Sequence, residues 1–215
     1  MVPERRIRRK AIDPGLSTIA FTYDRRVDEP TRRRILEYVK PLAVGLDGMT
    51  YSGDVDRVVA ASERIAGQTP AIDPDLLFLL AVFSGQERWV ERMGHASRTE
   101  IFLSSVGIRE AAVRALFRGL PRIRSRPATR EEEVVHDALA LEEMGAHGIV
   151  RLLLEGYRER RDLPEMAEGI EQAAGRALLT SAGETLAEPR RRTMREFARR
   201  AREEHEEFRG PASGG

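Results

Sequence analysis

The feature that most constrains this chain is the run Leu76–Phe83, LLFLLAVF, which is apolar on every side. It follows Asp73-Pro74, an N-cap residue and a proline placed at the first helical position. A helix without a polar face has to be surrounded by others. The run is far too short to cross a bilayer. With 215 residues, the chain is long enough to bury about two-thirds of its unfolded surface around such a centre.

The rest of the sequence reads as more helices. Thr31–Lys40 carries Ile35, Leu36 and Val39 on one face and ends at Pro41. Asp54–Ala66 places Val55, Val58, Val59, Ser62 and Ile65 at the helical period, with Gly67 expected as a left-handed cap. Ser84-Gly85-Gln86 interrupts the central helix, and a polar stretch with Trp89 follows. His95–Val106 stops at Gly107, and Ile108–Leu120 stops at Pro121. Residues 121–128 form a basic loop. Thr129 with Glu132 is a capping box that opens a helix through Met144. Gly145 and Gly148 are expected to kink or break the chain before Val150–Tyr157. A helix from Leu163-Pro164 to about Thr180 comes next. Pro189–Phe208 closes the set, with Met194, Phe197 and Ala201 as its thin apolar stripe. No repeat and no strand stand out, so the expected fold is all-α, a single compact multi-helix bundle.

Composition removes several kinds of chemistry. There is no cysteine, hence no disulfide, thiolate nucleophile, iron–sulfur cluster or cysteine zinc site. There are four histidines: His95, His136, His147 and His205. Charge is balanced, 36 basic residues against 35 acidic, and lysine occurs only at Lys10 and Lys40. The balance argues against wholesale coating of nucleic acid. The N-terminus has the charges of a signal peptide without its apolar core, so a soluble cytoplasmic protein with no membrane association is expected. Phosphate loops, HExxH, GxSxG and EF-hand loops are all missing, as is the paired ExxH arrangement of a di-iron bundle.

His136-Asp137 is the one His-Asp dipeptide. Alone it is weak, and the plain reading puts His136 on the surface and pairs Asp137 with an arginine. Its surroundings say more. Residues 134–151, VVHDALALEEMGAHGIVR, resemble the D-A-D-x-L-[DE]-x-x-G-x-x-G-[IV]-x-R segment of bacterial HD-domain phosphohydrolases through Asp137, Ala138, Leu141, Glu142, Gly145, Gly148, Ile149 and Arg151. Asp54-Val55-Asp56-Arg57-Val58 resembles that family's first motif, H-x-x-R-V, with Asp54 in place of histidine. Leu79–Gly85 resembles the buried helix that ends in the signature His-Asp, with Ser84-Gly85 standing there instead. His95–Gly107 and Ala177–Glu203 are similar to the helix after it and to the closing helices. The similarity covers about residues 50–205 and implies an HD-domain-like bundle.

The departures from that pattern set the functional expectation. The family holds its metal with a histidine, the His-Asp pair and a final aspartate, and the ion activates a water for attack on phosphorus. Of these only Asp137 remains. Ser84 is a poor ligand, Gly85 offers only backbone, and His136 points about 100° away from Asp137 on a helix. No cofactor is therefore expected. Asp54 and Asp137 either face each other, able to hold Mg²⁺ or Mn²⁺ weakly or the cation of a ligand, or are satisfied by Arg57 or another arginine in a filled core. The residual pocket candidates are Asp54, Arg57, Ser84, His95 and Asp137.

The leading reading is a catalytically degenerate HD-domain-like protein that binds a small ligand or a protein partner. The alternative is a divergent phosphohydrolase acting on a nucleotide or other phosphoester, with a metal site rebuilt around Asp137 from Asp54, His95, Glu87 or Glu91. A third reading uses the arm 1–34, with ten basic residues against five acidic, on nucleic acid. A flexible solvated arm is the preferred account of it, and nucleic acid is not the expected partner. The chain divides into an irregular N-terminal arm with a short helix (1–45), the helical domain (46–208) and a disordered tail (209–215).

Overall fold

The computed structural model describes residues 27–43, 52–85 and 95–209. Among them are nine α-helices and no strand. They are α1 Glu29–Val39, α2 Ser52–Ala66, α3 Pro74–Phe83, α4 His95–Ser105, α5 Glu110–Gly119, α6 Arg130–Glu142, α7 Gly145–Arg158, α8 Leu163–Ala174 and α9 Ser181–Arg209. Two 3₁₀ turns, Lys40–Ala43 and Leu120–Arg122, follow α1 and α5. Glu87, Trp89, Glu91 and residues 210–215 lie outside the described residues, and Arg209, expected in the tail, ends α9.

The apolar run is the centre of the molecule. Leu77 through Phe83 are all buried, and α3 packs against α1, α2, α5 and α6. Its start follows the local signals: Asp73 accepts from the backbone N–H groups of Asp75 and Leu76, and Pro74 stands at the first helical position. α2 buries Val55, Val58, Ser62 and Ile65 against α3 and α6. A second group, α7, α8 and α9, joins the first through α6. α1 belongs to the same core, because Ile35 and Val39 are fully buried and the Val27 N–H donates to Asp75 at 2.7 Å. The described part of the N-terminal 45 residues thus packs on the helical body.

Five local expectations are corrected. Gly67 ends α2 without a positive φ, and Ala71 (φ 58°) takes the left-handed conformation a few residues later. Thr129 accepts from the Glu132 N–H at 3.3 Å, but the Glu132 carboxylate reaches past the cap to the Ala128 N–H (2.8 Å) and to Arg122 (2.6 and 2.7 Å). α6 and α7 meet at Gly145 (φ +72°), and α7 begins there rather than at Val150. The last helix starts at Ser181, so Pro189 lies inside it. Packing decides that extension: Ala182 and Ala187 are buried, and Thr180 caps the first turn through the Gly183 N–H at 2.9 Å. Correspondingly, α8 stops at Ala174 rather than near Thr180.

Candidate functional site

Asp137 sits in the middle of α6 and is fully buried. Its Oδ1 accepts from the Leu179 N–H at 2.8 Å, and its Oδ2 accepts from both the N–H and the hydroxyl of Thr180 at 2.7 Å. Thr180 is the N-cap of α9, so the carboxylate secures the start of the closing helix. Gly183 leaves the room this needs, since a Cβ there would come within 2.5 Å of Asp137 Oδ2. The expected arginine partner is replaced by backbone and hydroxyl donors. They stabilise a buried charge without a long side chain having to enter the core.

Beside Asp137, His136 is half-buried rather than on the surface, and its Nδ1 lies 2.8 Å from the Ile123 carbonyl. A carbonyl only accepts, so Nδ1 carries the proton, and the ring fastens the basic loop to α6.

Asp54 lies in the first turn of α2 and is ion-paired with Arg57 three residues on. Arg57 reaches further, donating from Nε to Glu142 at the end of α6 at 2.5 Å. Its Nη2 lies 3.2 Å from His147 Nε2, while His147 Nδ1 lies 3.2 Å from the Glu142 carbonyl. That carbonyl fixes the proton on Nδ1 and leaves Nε2 to accept from the guanidinium. The Glu142 hydrogen bond, with the charges of Glu142 and Asp54 behind it and burial opposing, raises the Arg57 pKa above its ordinary value. A concave site of about 420 Å³ opens beside this cluster, lined by Arg57, Glu142, His147, Arg190 and Thr193. A second, of about 230 Å³, shares Arg57, Glu142 and Arg190 and adds Arg64 from α2.

The candidate residues are thus divided. Asp54 and Arg57 lie together, Asp137 is held by Leu179 and Thr180, and His95 opens α4, half-buried. Ser84 is buried at the end of α3 and donates its hydroxyl to the Ala81 carbonyl at 2.7 Å. Next to it, Gly85 takes φ +88°. Glu142 and His147 join the cluster although neither was singled out. Both stand in the glycine-containing segment around Asp137, and Glu142 occupies one of its matched positions.

These residues do not fit a divalent ion. Asp137 spends its oxygens on three donors, the Ser84 hydroxyl points to its own helix, and Gly85 has no side chain. An ion at Asp54 would have to displace Arg57, a cation already in contact with it. Among the described residues, no group of three or more histidine, aspartate or glutamate side chains is arranged to hold a metal.

The all-α fold is shared with solved proteins that include an HD-superfamily hydrolase. The chain is similar to the Lin1889 protein of Listeria innocua, with TM-score 0.67 and 18% identity over 83% of this chain and 97% of that one. It is also similar to Bacillus subtilis YpgQ, solved in complex with ADP, with TM-score 0.64 and 17% identity over 83% and 97%. An HD-superfamily hydrolase from Bacillus thuringiensis aligns with TM-score 0.62 and 16% identity, over 84% and 100%. No family model and no curated protein matches the chain. No helix among the described residues is long and apolar enough to cross a membrane.

Proposed function

We propose that this chain is a catalytically degenerate HD-domain-like protein, a cytoplasmic regulatory module that binds a small ligand or a protein partner and does not hydrolyse phosphoesters through a metal. One observation carries the reading: the Asp137 carboxylate is used up in holding the start of α9. The position that resembles the family's last metal ligand does structural work. The concavities beside Arg57 are the ligand site on this reading, since Arg57, Arg190 and Thr193 offer donors against the apolar Leu141 and Met144. Fold alone does not decide activity, because one fold hosts many functions.

Elemental analysis of protein purified without chelator or affinity-tag metal tests the reading, together with turnover of nucleoside triphosphates and p-nitrophenyl phosphate in Mn²⁺ or Mg²⁺. Metal well below one per chain and no turnover above background are expected. Stoichiometric metal with turnover, both lost in a folded Asp137→Asn variant, would establish the divergent phosphohydrolase instead.

A further inference from the structure

The apolar face of α7 is wider than its neighbours cover. Gly145, Gly148, Ile149 and Gly156 are buried on the side toward α8 and α9. Val150, Leu154 and Tyr157 point elsewhere and stay exposed, at 55%, 50% and 78%. At 100° per residue these three fall within about 60° of arc, and the partly buried Leu153 lies between them and the buried face. Single exposed apolar residues are ordinary; an aligned stripe ending in an exposed tyrosine marks a contact surface.

Beside the stripe runs a row of charges, Arg151, Glu155 and Arg158, on one flank of the helix. None of the three forms an ion pair with another described residue. Elsewhere such pairs are made readily: Arg199–Glu203 and Arg200–Glu196 on α9 pair at the same four-residue spacing.

We propose that this stripe is the interface between two copies of the chain, which pair α7 against α7 antiparallel about a twofold axis. The row of charges is what selects a second copy. Antiparallel pairing brings the same flank of the two helices together in reverse order. Arg151 then meets Glu155 of the second copy and Glu155 meets its Arg151, so the surface is complementary to itself, as a twofold interface requires.

Light scattering on the full chain over a concentration series tests this. A mass approaching twice the chain's 24.2 kDa is expected as concentration rises. Leu154→Glu should leave monomer at every concentration. Arg151→Glu and Glu155→Arg should each weaken dimerisation roughly tenfold, since each reversal breaks two symmetric pairs. The double reversal R151E/E155R should restore it. Leu154 and Glu155 are exposed and Arg151 is half-buried, so the variants should fold, and circular dichroism checks that they do. A wild-type monomer throughout overturns the proposal, as does a dimer that ignores these substitutions. A monomer that dimerises only when residues 1–26 are deleted also overturns it, and assigns the stripe to the chain's own arm.

Discussion

Asp137 and Asp54 are both aspartates on helices, and both stand at positions that resemble metal ligands, yet they live in different surroundings. Asp137 is fully buried and accepts three hydrogen bonds from a segment more than forty residues away. Asp54, its side chain 15% exposed, shares Arg57 with Glu142, and that arginine is close to half exposed. A carboxylate inside a protein costs free energy unless every lone pair is used, and once used it becomes part of the framework. A carboxylate paired with a half-exposed guanidinium costs less and remains exchangeable. A ligand in the concavities lined by Arg57 is therefore expected to meet that arginine, while Asp137 belongs to the framework.

The sharpest way to break this contrast is Asp137→Ala. It strands the N–H groups of Leu179 and Thr180 and opens a void, so a loss of about 3–5 kcal/mol is expected in urea denaturation. A loss below about 1 kcal/mol would show that the start of α9 does not depend on the carboxylate. Gly183→Ala presses a methyl group against the same oxygen, at 2.5 Å, and should cost about 1–3 kcal/mol. Because Asp137→Ala removes the atom that clashes, the double variant should cost less than the two single variants combined.

Glu132 is a third carboxylate, buried like Asp137 but paired with an arginine like Asp54. Burial pushes its pKa up, but the hydrogen bonds from Arg122 and the Ala128 N–H outweigh it, and the group titrates below its ordinary value of 4.5. Glu184 is also lowered, first by its hydrogen bond from Arg191. A folded pKa below the unfolded one gives stability that is present above about 4.5 and lost as pH falls through the folded value. Unfolding free energy should therefore decline on acidification from about pH 5. Glu132→Gln should lower stability near neutral pH by about 1–3 kcal/mol and flatten that decline. An unchanged acid slope in Glu132→Gln would mean that Arg122 and Ala128 do not hold the charged form.

What the sequence makes legible here follows how far each interaction reaches along the chain. The central helix, its Asp73-Pro74 start and the Thr129 cap are written within a few residues and are read directly. Pro189 misleads because the packing of Ala182 and Ala187 and the cap at Thr180 are tertiary, and they carry the helix through a residue that locally breaks it. The candidate site is harder still. Arg57 and Glu142 are 85 residues apart, and Asp137 and Thr180 are 43. No spacing rule joins such pairs, and the motif resemblance points to the right neighbourhood without giving the partners. His147 enters the cluster only because Gly145 turns the chain back beside Arg57.

The smallest effect belongs to Asp54, whose ion-pair partner Arg57 is close to half exposed. Asp54→Asn keeps the size of the side chain and removes one of two carboxylates from a guanidinium that Glu142 still holds. Exposed ion pairs are worth about 0–1 kcal/mol and are screened by salt, so the cost should lie below about 1 kcal/mol and shrink toward zero in 1 M salt. The Asp137→Ala cost should barely respond to the same salt, because ions do not reach a buried carboxylate. Equal salt dependence in the two variants would place both aspartates in the same solvent-facing site and collapse the distinction between framework and exchangeable pair. A large, salt-insensitive loss at Asp54 would do so from the other side, by making Asp54 part of the framework as well.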